Sequence, residues 1–542
     1  MKLLDPTDLL TLDAHSLQER MREGSLTAVG LLTSCLTQIK THDKRIRAVI
    51  SVAPRELLLR RAQQLDQEQQ DAIATGPGSG LKTTVGSLAL RDSQPDKASP
   101  IIERLEDMGA IILAKTNLNE LCGVKGDGMS NGWSTLGGQT ESAYIQFDYE
   151  DGDHLGHTVT QKLHNCGRIT DKVPTESLRL LHRVGSSLTA PAERAALYTI
   201  KPTPGTVDMS QVWPVSPLFD GVGGLTKSVI DLATVTNCLV STSATEDQRP
   251  RDFREFLNKT FAGLRIGFLD HRSWCLPAYF QTPIEEVDKQ IVEAIETVIS
   301  RIRESDDGHV AYPVSLPPLS NFDRNGSMTL VRAISKPCQR DLDQEKYAEA
   351  DCPAYEIAKG TTRYLRAANV DSVKSVADIV KFNRGWSACE LPNGPASQAW
   401  LVDGLHNPPS KEEFDRDVAH FRRVGRDEGI DELFKRENLN LLAFSTDSLV
   451  FNFASAAGYP IASMPMGLLK CNGRPFGLGI IAQTGREDLM FQCMSAFEDM
   501  SPARISAVKG RVLTLGALAT KSPSSRPKLM ISATKAGLSA PG

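Results

Sequence analysis

The sequence predicts an α/β fold in which a single large β-sheet is covered by helices on both faces. Segments with a helical repeat alternate with short apolar runs that are bounded by Gly, Pro or Asn. Of the 542 residues, 40% are hydrophobic and 23% are charged, which is typical of a folded protein with a sizeable core. Length alone also allows two to four smaller units, but alternating helices and strands favour one sheet between helical layers.

The first hundred residues are predicted to be mainly helical. Residues 26–46 repeat apolar side chains at three-to-four spacing, and residues 47–54 resemble a short strand. Ser99 is a candidate N-cap, with Pro100 at the first helical position and Gly109 at the end of that helix. The apolar run that follows the glycine is predicted to be a strand.

The middle and the end of the chain continue the alternation. Thr282 and Glu285 have the spacing of a capping box, and the apolar residues that follow keep a helical period. Strands are predicted on either side of this helix and again late in the chain. They cover residues 264–270, 310–316, 439–446, 459–467 and 476–483.

Charge and composition divide the chain into three parts. Residues 1–24 are expected to form a helical lead-in, and residues 25–500 the main domain. Residues 501–542 contain seven Lys or Arg and no Asp or Glu, and we expect them to form a loosely ordered basic tail. The net charge of −5 argues against a nucleic-acid-binding protein, which normally has a basic face.

Cysteine usage and hydropathy predict a cytoplasmic protein. The ten cysteines form no C-x-x-C pair, which favours reduced thiols over a disulfide framework. The first ten residues include acids where a signal peptide would be continuously apolar, and no apolar run approaches the length of a membrane span. We therefore expect neither a membrane nor a nucleic acid as a partner, while the oligomeric state stays open.

Several long stretches resemble, in the same order, the amidase-signature family and in particular its branch from filamentous fungi. They include TTVGSLAL, KTNLNEL, SLTAPAERAALYTIKPTPG and NGRPFGL. Together they run from about residue 25 to about residue 500. The matching stretches are residues 83–121, 126–144, 187–210, 215–233, 376–384, 420–434, 453–467 and 472–478.

The resemblance implies a single α/β domain built on a mixed, twisted sheet. It also implies hydrolysis of small carboxamides by a Ser–Ser–Lys triad, in which a neutral lysine takes a proton through a bridging serine. No metal and no organic cofactor are needed for this chemistry. An intermediate of a fungal secondary-metabolite pathway is one candidate for the small-molecule amide substrate.

The resemblance also assigns candidate site residues. Ser187 aligns with the family's nucleophile, and Gly185 and Ser186 align with the glycine-rich loop that stabilises the oxyanion. Gly185 is placed for a positive φ. The alternative is that Ser187 only caps the helix predicted to begin at Pro191, or the turn before it. The pocket-lining candidates, which could equally form an ordinary turn, are Met129, Ser130 and Gly132.

The chain departs from the family pattern at two places. The strand that carries the family's lysine is missing after Gly76–Pro77, and Lys82 is predicted to be a solvent-facing or turn lysine. A polar stretch over residues 150–185 replaces the bridging-serine loop. Two further hypotheses follow. The protein is an impaired amidase that binds a ligand or partner, or the sequence misreads an active gene.

Two weaker motifs lie outside this pattern. The polar stretch contains three histidines and a cysteine that could be drawn as a zinc site, although their spacing matches no established pattern. These residues are His154, His157, His164 and Cys166. The glycine-rich residues 221–225 lack a dinucleotide-binding fingerprint and are expected to form a loop near the sheet.

Overall fold

The computed structural model describes most of the main domain. The described residues are 4–68, 81–95, 97–126, 132–144, 179–182, 186–214, 216, 218–240, 252–276, 283–305, 308–324, 327–328, 352–406 and 410–501. Residues 502–542 of the predicted tail fall outside this part of the chain. So do the four residues that could be drawn as a zinc site, His154, His157, His164 and Cys166.

Eight strands form one mixed sheet, as the sequence predicts. In chain order they are β5 (Arg179–His182), β6 (Tyr198–Lys201), β7 (Val222–Thr226), β8 (Arg265–Leu269), β9 (His309–Val314), β12 (Leu441–Ser445), β13 (Ile461–Leu468) and β14 (Pro475–Ile481). Their spatial order is β5-β7-β6-β13-β14-β12-β8-β9. The pairs β12–β8 and β8–β9 are parallel and the other neighbours are antiparallel.

Three two-stranded ladders accompany the large sheet. They are β1 (Val49–Val52) with β2 (Ala114–Thr116), β3 (Trp133–Ser134) with β4 (Gly138–Gln139), and β10 (Asp323–Arg324) with β11 (Ser327–Met328). All three are antiparallel.

Helices cover both faces of the sheet. In the first half of the chain they are α1 (Pro6–Thr11), α2 (Ala14–Arg22), α3 (Ala28–Ile46), α4 (Arg55–Glu68), α5 (Pro100–Asp107), α6 (Ser186–Arg194), α7 (Val229–Leu239) and α8 (His271–Trp274). They continue with α9 (Glu285–Glu304), α10 (Cys352–Ala367), α11 (Val376–Gly385), α12 (Ser387–Glu390), α13 (Ala399–His406), α14 (Lys411–Arg422), α15 (Glu432–Arg436), α16 (Phe451–Ala457) and α17 (Glu487–Met500). A π-helical segment, Arg423–Asp431, joins α14 to α15.

The alternation of side chains along the strands separates two hydrophobic layers. Ala462 of β13 packs in the cluster that includes Ile291 of α9. Its neighbour Ile461 packs in the cluster that includes Phe421 of α14 and Phe453 of α16. Because successive strand residues point to opposite faces, the sheet is buried between these two helical layers. None of the described helices is long and apolar enough to cross a membrane.

Most predicted elements are confirmed, with shifted ends. Helix α3 begins after Thr27, whose hydroxyl accepts a hydrogen bond from Gly30 N–H. The capping box is wrong, because α9 begins at Glu285 after Ile284, which makes no side-chain cap. Strand β2 starts at Ala114, four residues later than predicted, since Gly109 N–H and Ala110 N–H still bond back to α5.

The glycine-rich stretch at 221–225 is a strand, so the expectation of a loop is wrong. A Cβ on Gly223 would overlap the carbonyl oxygen of Ile200 on β6. A Cβ on Gly224 would lie 2.9 Å from Val235 Cγ1 on α7. Glycine therefore lets β7 lie against both neighbours at a distance that no side chain permits.

A buried charge cluster connects the β3–β4 hairpin to the helices of residues 352–406. Lys125 Nζ donates to Glu120 Oε1 at 2.6 Å and to Glu390 Oε2 at 2.5 Å. Thr135 Oγ1 donates to Glu120 Oε2 at 2.7 Å, and Leu88 N–H donates to Glu390 Oε1 at 2.9 Å. All three charged side chains are almost inaccessible to solvent. Local sequence patterns cannot predict this cluster, because Lys125 and Glu390 are 265 residues apart.

The two carboxyl groups of this cluster differ in their pKa. Burial raises the pKa of Glu120 to about 8, and its hydrogen bond to Glu390 adds to the rise. Burial would also raise the pKa of Glu390, but the hydrogen bond from Glu120 and the charge of Lys125 outweigh it and lower that pKa. Of the two carboxyl groups, Glu120 is therefore the one that holds a proton to higher pH.

Gly223→Ala should destabilise the fold by about 3 kcal/mol or more, because the new methyl group meets backbone rather than a movable side chain. Gly385→Ala is the matched control, since a Cβ there meets nothing within 4 Å. The control should be neutral or gain up to about 1 kcal/mol. Urea unfolding of both variants measures the difference. Equal midpoints would contradict the close contact of β6 and β7.

Glu120→Gln should flatten the pH dependence of stability between about pH 5 and pH 8. The folded pKa of about 8 exceeds the ordinary value of 4.5 for a glutamate. Across this window the unfolded chain releases the proton and the folded chain keeps it, so this group's contribution to stability falls as pH rises. The fall is at most about 1.4 kcal/mol per pH unit and ends above pH 8.

Glutamine keeps the donor to Glu390 but cannot ionise, so its unfolding free energy should lack this slope. Glu428→Gln, at an exposed ion pair with Arg423, is the control and should retain the wild-type slope. Unfolding free energies measured in urea at several pH values test both variants. A wild-type slope in Glu120→Gln would show that the folded protein does not hold a proton on Glu120 in this pH range.

Candidate functional site

The helix that carries Ser187 begins earlier than predicted. Helix α6 covers Ser186–Arg194, and Pro191 lies inside it rather than at its start. Proline has no N–H, so Pro191 cannot donate the helical hydrogen bond to the carbonyl of Ser187, four residues before it. The predicted helix start at Pro191 is therefore wrong, while the capping role of Ser187 stays a prediction because its side chain is not described.

Helix α6 ends at Arg194. Ala196 adopts a left-handed φ of 51°. Ala196 N–H bonds to Glu193 O at 2.9 Å, and Leu197 N–H bonds to Ala192 O at 2.8 Å. This pair of bonds is the Schellman motif that closes a helix. The chain then turns directly into β6.

Helix α6 packs against the sheet face that carries Leu225 of β7. Leu188 and Ala192 of the helix share one buried cluster with Leu225. Ser463 Oγ of β13 donates to Thr189 O at 3.3 Å. The helix thus crosses β7 and β13 with small or apolar side chains towards the sheet, and Ser187 lies in its first turn.

The structure describes only some of the predicted site residues. Gly185, Met129 and Ser130 lie outside the described residues, so their predicted roles are untested. Ser186 and Ser187 are described as part of the α6 backbone, without their side chains. Their assignment as oxyanion residue and nucleophile therefore stays a prediction.

Gly132, the third pocket-lining candidate, opens the β3–β4 hairpin. It is buried, with a φ of 77°. Its N–H donates to the side-chain oxygen of Asn119, and its carbonyl accepts from Thr140 N–H at 3.0 Å. These contacts fit the turn interpretation, and they leave the pocket-lining role a prediction.

Asn117 organises this hairpin, which sequence reasoning missed. Its Nδ2 donates to Gly138 O at 2.8 Å and to Thr140 Oγ1 at 2.9 Å. Its Oδ1 accepts from Ser134 Oγ at 2.7 Å. A Cβ on Gly137 would overlap the same amide group. The signal available in the sequence was an asparagine directly after an apolar strand and before a glycine-rich turn.

Lys82 faces solvent, as predicted. Its Nζ lies 2.6 Å from Asp92 Oδ1, and the two side chains are 50% and 64% exposed. This exposed ion pair fits the prediction of a solvent-facing or turn lysine, and it offers none of the burial by which proteins tune a lysine into a general base.

Two other lysines, the half-buried Lys115 and the fully buried Lys201, have no carboxylate at hydrogen-bond distance in the described contacts. Lys115 Nζ donates to Thr83 Oγ1, and burial lowers its pKa to about 8. Lys201 Nζ donates to Phe219 O at 3.0 Å. Burial lowers the pKa of Lys201 to about 8, although the negative charge of Asp220 opposes this shift. Both amines therefore lose their proton more readily than an exposed lysine.

Lys201 points to the same sheet face as α6. Within an antiparallel ladder, directly paired residues share a face. Lys201 pairs with Ile461, and Thr199 pairs with both Ser463 and Leu225. Ser463 and Leu225 contact α6, and residues two apart on a strand share a face. Lys115, by contrast, lies on β2 in the separate β1–β2 ladder.

Four buried charged side chains meet where the end of α6 crosses the sheet, and we call them the α6 quartet. They are Glu193 and Arg194 of α6, Asp447 after β12 and Arg474 before β14. Arg194 Nη2 lies 2.5 Å from Asp447 Oδ1, and Arg474 Nη2 lies 2.7 Å from Asp447 Oδ2. Arg474 Nη1 also lies 3.7 Å from Glu193 Oε1, and Arg194 contacts Glu193 directly.

The two carboxyl groups of the quartet differ in their titration. Burial raises the pKa of Glu193 to about 7, against the attraction of Arg194 and Arg474. Burial would also raise the pKa of Asp447, but the two guanidinium groups outweigh it and hold that pKa well below its usual range. Asp447 is therefore the permanent anion of the quartet.

Metal chemistry has no candidate among the described residues. No group of three His, Cys, Asp or Glu side chains there could hold a metal ion. The seven cysteines whose side chains the structure describes form no disulfide with one another.

Comparison with known sequences identifies relatives along nearly the whole chain. The sequence model of the Amidase family matches residues 183–379, which include Ser187, the helical half of the quartet and Lys201. A protein of Schizosaccharomyces pombe named "Putative amidase C869.01" is 25% identical over 89% of this chain and 84% of its own length. A glutamyl-tRNA(Gln) amidotransferase subunit of Lactobacillus delbrueckii subsp. bulgaricus is 23% identical over 89% of this chain and 95% of its own.

Solved structures share the fold. The native peptide amidase of Stenotrophomonas maltophilia superposes with a TM-score of 0.73 at 24% identity, covering 92% of this chain and 99% of its own. An amidase family protein of Bacillus anthracis also gives a TM-score of 0.73, at 19% identity and 93% coverage of both chains. Together with the ordered motifs and the mixed sheet, these matches show an Amidase-family region at residues 183–379 within a chain that has the amidase-signature fold.

Proposed function

We propose that this chain hydrolyses small carboxamides through an acyl-enzyme formed on Ser187. The observation that carries the proposal is the position of Ser187 in the first turn of α6, a nine-residue helix. The helix is seated on the buried sheet, inside the region that matches the family model. A serine held on a rigid element beside a helix start is suited to acyl transfer.

The start of α6 supplies the electrostatic part of the proposed site. The first N–H groups of a helix have no acceptor within the helix, and the helix dipole places partial positive charge there. A carbonyl oxygen that becomes negative near Ser186 and Ser187 would be stabilised by these groups. This is the role that the family resemblance gives to Gly185 and Ser186.

The proposed reaction proceeds in two steps that balance. Ser187 Oγ adds to the amide carbonyl while a base takes its proton. The C–N bond then breaks, and the amine leaves with that proton as ammonia. Water adds to the resulting ester, and the acid product leaves while Ser187 regains its hydrogen. The net reaction is carboxamide plus water to carboxylic acid plus ammonia.

We propose Lys201 as the group that accepts the proton. It lies on the sheet face that α6 covers, it is fully buried, and its pKa of about 8 leaves part of it neutral near physiological pH. A base whose pKa lies near the working pH is the most effective. Lys115 has a similar pKa but stands on a different ladder, which makes it an internal control.

The narrower expectations remain predictions. They are a substrate from fungal secondary metabolism and a cytoplasmic location. Fungal relatives, from Schizosaccharomyces pombe and Arthroderma benhamiae, are consistent with the first of these.

A fluorophosphonate probe should label the protein on the peptide that contains Ser187, because the probe phosphonylates an activated serine oxygen. Ser187→Ala should abolish the labelling and reduce ammonia release from a simple carboxamide by about 10³-fold or more. Ser186→Ala, which alters the neighbouring hydroxyl, should still be labelled. Peptide mass spectrometry identifies the modified residue. A folded wild-type protein that neither reacts with the probe nor releases ammonia would favour the alternative of a ligand-binding or partner-binding protein.

Lys201→Met should slow labelling and amide turnover by about 10²–10⁴-fold, because the thioether keeps the stem but accepts no proton. In the wild type the rate should rise with pH up to about 8 and then level off, since only the neutral amine accepts a proton. Lys115→Met should keep the wild-type rate and pH profile. Lys201 would not be the base if Lys201→Met were as fast as the wild type. The same would follow if the increase of the rate with pH disappeared in Lys115→Met instead.

A further inference from the structure

We propose that the α6 quartet is a positioning device that fixes the helix carrying Ser187. The inference rests on the proposed function, because it concerns the residue that the proposed reaction uses. It assigns Asp447 and Arg474, which are distant from Ser187 in sequence, a role in setting the reactivity of that serine.

The quartet joins three elements at one point. Glu193 and Arg194 belong to the last turn of α6, Asp447 follows β12, and Arg474 precedes β14. Asp447 accepts from both guanidinium groups, with Oδ1 towards Arg194 and Oδ2 towards Arg474. The backbone around it is also paired, since Thr446 N–H bonds to Gly477 O at 3.2 Å. The carboxylate is thus held on a rigid strand end.

The rest of the contact of α6 with the sheet is mainly apolar and of small residues. Leu188, Ala192 and Leu225 pack without preferred direction, so this contact alone would tolerate a shift or a rotation of the helix. Hydrogen bonds between ionised groups are short and directional, and in a dry interior their separation is costly. Arg194 is 10% exposed and the other three side chains at most 1%. The quartet therefore fixes the axial position of α6.

A second contact holds the same end of the helix. Tyr144 Oη donates to the carbonyl of Ala195, directly after α6, at 3.2 Å. A Cβ on Gly477 would lie 3.3 Å from Glu193 Cγ, so β14 lies directly against the helix there. The end of α6 is thus held on several sides. Pro191 removes only one hydrogen bond of α6 and its ring fixes its own φ, so the anchor at the end of the helix also constrains where the first turn lies.

The test compares two quartet variants with a variant that destabilises the core elsewhere. Asp447→Asn removes the anion that both arginines share, and Arg474→Lys keeps the charge but loses the two-pronged contact. Ile302→Ala, in the core on the opposite sheet face, is the control for simple destabilisation. All proteins are measured well below their lowest melting temperature. The readouts are the fluorophosphonate labelling rate at Ser187 and the hydrogen exchange of the peptide that contains α6.

Asp447→Asn should lower the maximal labelling rate at least tenfold, without changing the probe concentration that gives the half-maximal rate. It should also speed exchange in α6 more than in β12 to β14. Arg474→Lys should show a smaller decrease in the labelling rate and a smaller increase in the exchange of α6. If Asp447→Asn does not fold, the result for Arg474→Lys decides the question. Ile302→Ala should change neither readout. Quartet variants that label at the wild-type rate with unchanged exchange in α6 would overturn the inference.

Failure of the proposed function gives a different result. If the wild-type protein is not labelled, the serine mechanism is wrong, and hydrogen exchange alone decides whether the quartet anchors α6. Faster exchange confined to α6 in Asp447→Asn would then support the anchor. Exchange equal to that of the wild type would overturn it.

Discussion

Two guanidinium groups and two carboxyl groups meet in the protein interior where α6 crosses β14, and the placement of Ser187 depends on this contact. Buried charges are costly unless they are paired and hydrogen-bonded. Arg194 and Arg474 both bond to Asp447, and Glu193 completes the group. The helix cannot move against β12 and β14 without separating them. A contact that is expensive to break in this way sets geometry more strictly than apolar packing does.

The second buried cluster applies the same physics in another part of the molecule. Lys125, Glu120 and Glu390 tie the β3–β4 hairpin to the helices of residues 352–406. The raised pKa of Glu120 favours its neutral form, which lowers the repulsion between the two carboxyl groups. The two buried charge clusters thus hold a short helix, α6, and the β3–β4 hairpin on the rest of the fold. Functional groups need this kind of rigid support.

Local sequence patterns predicted most of the sheet and the long helices, because periodicity, caps and glycine or proline boundaries act over a few residues. They failed where tertiary contacts decide. Pro191 usually marks a first turn but lies inside α6, and glycines that usually mark loops form β7. Neither buried cluster could be predicted. Arg194 meets Asp447 across 253 residues, and Lys125 meets Glu390 across 265. Ser187 was assigned from its motif alone, and that assignment stays a prediction.

The most direct test of the central claim is to trap the acyl group on the protein. The wild type is mixed with a small aryl amide, quenched with acid within the first turnover, and examined by intact-protein and peptide mass spectrometry. A mass increase equal to the acyl group, confined to the peptide that contains Ser187, is the expected result. Amide turnover with no adduct, or with an adduct on another peptide, would contradict a serine acyl-enzyme at the start of α6.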